Sequence, residues 1–128
     1  MRFFHRLFSN RHGQTAAEFA LILPCLVMLT IGTINLCAML YTYTSLHYAV
    51  EDSARCASVR PGTCSNSTTV NTYALTRYSG VTTDQNFVVS LKPCGYEVIG
   101  TATYAFSTGL VNLPVSMTAK ACRAQAVN

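Results

Sequence analysis

Across Arg11-His12-Gly13-Gln14-Thr15-Ala16-Ala17-Glu18-Phe19-Ala20-Leu21-Ile22-Leu23-Pro24 the chain passes abruptly from basic to apolar, and the apolar side opens on a carboxylate, Glu18. A carboxylate at the mouth of a membrane helix is costly unless something neutralises it, which makes Glu18 a candidate functional residue. Five residues earlier sits Gly13, small enough for an endopeptidase to accept beside a scissile bond. Cleavage after Gly13 would leave Gln14 as a new N-terminus, with Glu18 about one helical turn along. The new ammonium of one chain would then be free to pair with Glu18 of a neighbour in a low-dielectric setting.

Beyond Glu18 the run of residues 19–40 carries no Asp, Glu, Lys or Arg. Its length is roughly 33 Å as a helix, enough to cross a hydrocarbon core. Tyr41, Tyr43 and Tyr48 follow as an aromatic belt for the outer interface. Pro24 removes a backbone donor in the first turns, which predicts a kink or local opening. Thr30, Gly32, Thr33 and Asn35 are small or polar residues in the middle of the run. Asn35 calls for an interhelical hydrogen bond worth about 1 kcal/mol. Cys25 and Cys37 fall inside the span and read as small packing residues rather than a bridge or a metal pair.

The leader before this run, residues 1–13, holds Arg2, Arg6 and Arg11 and no acid. Under the positive-inside rule it stays in the cytoplasm and the C-terminal part is exported. Phe3, Phe4, Leu7 and Phe8 interleave with its cations, so the leader reads either as a short amphipathic helix on the membrane surface or as a tail. An ordinary secretory signal fits poorly, because the apolar run is too long and has no small-x-small site at its far end. A lipoprotein signal fits no better, since Leu36 and Pro24 precede the two cysteines.

Composition agrees with an anchored chain. Half of the 128 residues are hydrophobic and 11% are charged, which is unusual for a soluble domain. The net charge of +4 sits mostly in the leader. After Gly13 the remaining Lys and Arg nearly cancel Glu18, Glu51, Asp52, Asp84 and Glu97, so no nucleic-acid partner is expected.

Past the tyrosines the helical period continues. Leu46, Ala49, Val50, Ser53, Ala54 and Ala57 recur at three- and four-residue spacing as one stripe of small and apolar residues. Glu51 and Asp52 stand four and three residues before Arg55 on another face, spacings suited to pairs along the helix. These features predict one helix over residues 14–58, ended by Pro61-Gly62.

Residues 59–128 read as a small exported head. A second, short helix runs through Val70, Tyr73, Ala74 and Arg77-Tyr78 and closes at Gly80. Strands are predicted over residues 87–91, 96–106 and 115–121, the last with Val115, Met117, Ala119 and Ala121 on one face. The fold class is therefore α+β: a long N-terminal transmembrane and stalk helix, then a small antiparallel β-meander head with one short helix. Such a head has a marginal core and calls for a staple. Cys56, Cys64, Cys94 and Cys122 lie on the exported side, where disulfides persist. Three pairings are open to them. Neighbourhood favours Cys56 with Cys64, and a Cys94–Cys122 bridge would clasp a hairpin turning near Thr108-Gly109, although Pro114 leaves the register of the returning strand open. A zinc site is the competing reading, but there is no C-x-x-C knuckle, and neither metal nor cofactor is expected.

No set of catalytic residues is evident. His47 is the one histidine on the exported side, five residues from Asp52 and so not on its helix face. The polar outer face of the stalk accounts for it. There is no phosphate loop, nucleophile elbow or carboxylate pair, and the expectation is a protein that is not an enzyme. Asn66-Ser67-Thr68 matches a glycosylation sequon, a pattern that also arises by chance.

The Gly-x-x-x-x-Glu-Phe arrangement at Gly13, Glu18 and Phe19 resembles the processing site of type IV-like prepilins. The longer run through Ala20, Leu21 and Pro24 resembles the TadE-like family, the pseudopilins of Tad (Flp) pilus systems, and Ala54-Arg55 is similar to the Ala-Arg that family carries at this place. The resemblance is strongest over residues 13–58 and weakens through the head. It implies that a prepilin peptidase cuts between Gly13 and Gln14. It implies further that Glu18, Phe19 and Pro24 serve recognition and assembly, with other pilins or pseudopilins and the inner-membrane pilus assembly platform as partners beside the lipid bilayer. The expected product is a pseudopilin or minor pilin. It sits in the bacterial inner membrane with its N-terminus cytoplasmic and its head periplasmic, and enters a pilus base or fibre. The alternative is a permanently anchored periplasmic binding module whose leader is never removed.

Overall fold

The computed structural model describes residues 11–82, 84–107, 109 and 111–125, with only the backbone of residues 11–14. The rest of the leader, residues 1–10, lies outside the described residues, as does Thr108 of the expected turn.

Helix α1, Arg11–Val59, runs unbroken for 49 residues, about 73 Å at ~1.5 Å per residue. Pro24 lies inside it. Its two halves live in different surroundings. From Thr15 to Ile34 nearly every residue is exposed, among them Phe19, Leu21, Ile22, Leu26 and Leu29, and the most apolar window of the helix is not buried at all. A bare apolar cylinder of that length is consistent with a single-pass membrane anchor. From Asn35 onward one face is covered. The stripe expected from the period is buried to 1% exposure or less at Leu46, Ala49, Val50, Ser53, Ala54 and Ala57, and it reaches further down the helix to Thr42.

The head packs on that stripe. Helix α2, Ser67–Arg77, begins three residues before the apolar pattern suggested, because Asn66 caps it. The Asn66 side chain accepts from the Thr69 N–H at 2.9 Å, and the Thr69 hydroxyl accepts from the Asn66 N–H at 3.2 Å. This reciprocal cap is worth about 1 kcal/mol and gives the sequon residue a structural role. The helix closes on Tyr78, whose N–H donates to the Ala74 carbonyl, two residues before Gly80.

Strands β1 (Gln85–Lys92), β2 (Gly95–Ser107) and β3 (Asn112–Arg123) form an antiparallel meander in the order β1-β2-β3. Alternation decides which face meets the helices, with β2 and β3 on α1 and β1 on α2: Phe87 from β1, Val98, Ala102 and Tyr104 from β2, and Met117, Ala119 and Ala121 from β3 are all buried. Gly100 on β2 leaves room for side chains of α1 and β1. A Cβ there would lie 2.6 Å from Val50 Cγ2 and 2.8 Å from Phe87 Cε1. Pro114 does not disturb the register: it lies on β3, an edge strand where a missing N–H is tolerated, and pairs with Ala105 of β2.

Both staples form. Cys56 is bridged to Cys64 with Cα atoms 5.8 Å apart, and Cys94 to Cys122 at 6.3 Å. The first ties the turn after α1 back to the helix end, and the second clasps the open end of the β2–β3 hairpin. Cys25 and Cys37 are free and exposed, so they are surface residues of the bare helix and not packing residues within this chain.

Candidate functional site

The residues expected to steer assembly all lie on the bare half of α1. Glu18, Phe19 and Pro24 are exposed, Phe19 at 66%. Gly13 and Gln14 belong to the first turns of the helix. Among the described residues, no side chain of the head is brought to Glu18, Phe19 or Pro24. Glu18 stands 17 residues before Asn35, where the head begins, or about 26 Å along the axis.

The polar residues inside the apolar run are satisfied by their own chain. Thr30 donates to Val27 O at 2.8 Å and Thr33 to Thr30 O at 2.8 Å. Asn35 donates from Nδ2 to Ile31 O at 3.0 Å. Its backbone and side-chain oxygens are also approached by the Tyr104 hydroxyl, at 3.4 and 3.5 Å. Within the chain, Asn35 therefore meets the head.

A second group of interactions, missed by reading the helix alone, holds the head against α1. The Glu51 and Asp52 carboxylates do not pair with Arg55. Glu51 Oε2 accepts from Arg123 Nη2 of β3 at 2.6 Å, and Asp52 Oδ2 lies 3.0 Å from Arg77 Nε of α2. Tyr73 Oη donates to Asp52 at 2.9 Å and accepts from Arg77 Nη2 at 3.2 Å. The Arg77 guanidinium is held above its ordinary pKa, first by this hydrogen bond with Tyr73 and then by the charge of Asp52, so it stays a cation throughout the accessible range. Asp52, Tyr73 and Arg77, with Arg55, Cys56, Val59 and Arg60, line a cleft of about 220 Å³ between α1 and α2. Three arginines face one carboxylate there, giving a basic rim beside the Cys56–Cys64 bridge. The loop after α2 adds two further ties: Ser79 N donates to Ser45 Oγ at 2.8 Å and Val81 N to Thr42 Oγ1 at 3.3 Å.

His47 is half-buried, not on an open polar face. Its ring meets Tyr43 edge-on at 4.5 Å between centroids, and Nε2 has no hydrogen-bond partner among the described residues. Among the described residues no cluster of three or more His, Cys, Asp or Glu is placed to hold a metal.

The helix with its buried stripe carries the relationship to known proteins. Residues 13–55 match the family model of TadE-like protein. No curated protein and no solved structure matches the chain. The TadE-like segment thus covers the bare half of α1 and most of the half under the head, stopping one residue before Cys56. It relates the chain to Tad pilus systems and implies pilus-related protein partners in general. The strands, α2 and both disulfides lie outside it, apart from the side chains of α1 on which they rest.

Proposed function

We propose that the chain is a pseudopilin or minor pilin of a Tad/Flp pilus, made as a precursor and cut between Gly13 and Gln14 by a prepilin peptidase at the cytoplasmic face. The observation that carries this reading is a TadE-like segment that begins at Gly13, on a helix whose following half is bare, apolar and headed by one carboxylate, Glu18. Removal of residues 1–13 would start the helix at Gln14 and leave Glu18 four residues from its positive end. A carboxylate near that end is favourable, and the new ammonium of a neighbouring subunit supplies a counter-charge. The bare half of α1 then serves twice, as an anchor in the inner membrane and as the packing surface when subunits are drawn together. The disulfide-bonded head suits an exported, periplasmic location and a role in assembly, priming or the tip. The chain is a substrate and a structural subunit, with no catalysis of its own.

Glu18→Ala tests the assembly half of this reading. The variant should insert in the membrane at wild-type levels and fail to co-purify with pilus components after mild detergent extraction. Unchanged co-purification would favour a permanently anchored binding module.

A further inference from the structure

The β2–β3 hairpin is longer than the sheet it belongs to. Strand β1 begins at Gln85, opposite Ala102, so the paired residues 103–107 and 112–116 project beyond it as a two-stranded ribbon. The ribbon points toward the N-terminal end of α1: Gly100 lies against Val50, and Tyr104 reaches Asn35, fifteen residues lower on the helix. Ser107, three residues beyond Tyr104, is about 10 Å further along the strand. The last pair of the ribbon, Ser107 with Asn112, is thereby brought down toward the helix turn that contains Asn35.

The chemistry of this ribbon differs from that of the rest of the head. From Val98 to Ala119 there is no charged residue. Val111 and Leu113 are exposed at 51% and 54%, Pro114 is exposed, and Phe106 is half-buried. Asp84, just before β1, is the first charge above the projecting part.

Helix length decides what covers it. Glu18 is the last charge on the cytoplasmic side, and the bare run from Phe19 to Ile34 measures about 24 Å at ~1.5 Å per residue. A hydrocarbon core of about 30 Å needs roughly 20 residues, which extends it to the level of Ala38. Tilting the helix would demand still more residues and draw the head deeper. The exposed Tyr41 and Tyr43 sit at the right height for the outer interfacial belt, about 9 and about 12 Å above Asn35.

We infer that the projecting hairpin is a second membrane contact, seated in the outer-leaflet interface with Val111 and Leu113 among the acyl chains; this rests on reading the helix as a membrane anchor. The unpaired edge of β3 limits the depth, since backbone groups need water or headgroups, so the contact is shallow. With no cation on the ribbon, it requires no anionic lipid.

The chain has no tryptophan, which permits a direct test. Single-tryptophan variants Leu113→Trp, Leu26→Trp and Val59→Trp, all at exposed positions, are reconstituted as full-length chains into phosphatidylcholine vesicles containing lipids brominated near the headgroup or deep in the chain. Leu26→Trp should lose emission to both probes and Val59→Trp to neither. Leu113→Trp should lose more emission to the shallow bromine than to the deep one, equally with or without anionic lipid. An unquenched Leu26→Trp would overturn the anchor reading itself. Quenched Leu26→Trp beside unquenched Leu113→Trp would leave the anchor standing and overturn the hairpin contact. A blue shift of Leu113→Trp that grows with protein density and without quenching would overturn it too, assigning the ribbon to a second copy of the chain.

Discussion

The Tyr104 hydroxyl lies 3.4 Å from the backbone oxygen of Asn35, joining the β2 strand to a helix turn 69 residues earlier in the chain. This contact marks where the bare part of α1 ends and the head begins, five residues sooner than hydropathy suggests. Ring burial contributes most of its strength and the long hydrogen bond rather little. Tyr104→Phe should cost at most about 1 kcal/mol. Tyr104→Ala, which empties a site exposed to only 7%, should cost about 3–5 kcal/mol in denaturant titrations of the detergent-solubilised chain.

Gly100 sits against Val50 of α1 and Phe87 of β1. Gly100→Ala should destabilise the head by about 1–3 kcal/mol, because Val50 and Phe87 are both buried to 1% and have little room to yield. A second substitution, Val50→Ala, removes the nearest of those atoms. If close approach is the cause, the double variant should lose less than the two single losses added together.

The two disulfides close loops of different length, 8 and 28 residues in separation. Chain-entropy reasoning gives about 2.5 kcal/mol for Cys56–Cys64 and about 3.6 kcal/mol for Cys94–Cys122. Replacing each pair by alanine should rank in that order in thermal melts, with the sheet the more affected by loss of the longer bridge.

The Glu51–Arg123 pair is half-exposed on both sides, so it should add little to stability. Arg123→Ala is expected to cost at most about 1 kcal/mol at low salt, and that cost should fade in high salt as the charges are screened. A larger, salt-insensitive loss would mean that Arg123 acts through packing.

Much of this architecture is legible in the residues, for identifiable reasons. The stripe from Leu46 to Ala57 announces the buried face because helical period and small size coincide there. The two disulfide partners follow from where the turns fall. What local pattern could not reveal is tertiary: Glu51 and Asp52 have a partner within reach on their own helix, yet both choose arginines from the head. Asn35 and Thr42 look like ordinary polar interruptions of an apolar run, though their spacing through Ala38 to Leu46 continues the buried stripe by whole turns and was the available signal. The start of α2 was readable in Asn66 and Thr69, a cap and its reciprocal partner three residues on. The processing site is of another kind. Glu18 is exposed and far along the helix from the described residues of the head, so the fold neither requires nor forbids cleavage beside it.

The central claim therefore turns on chemistry at one peptide bond. The most direct measurement is the N-terminal sequence of the protein taken from native membranes, by mass spectrometry, with and without the prepilin peptidase. A start at Gln14 that depends on the peptidase is the result this account predicts. An intact Met1-Arg2 terminus in both strains would contradict it.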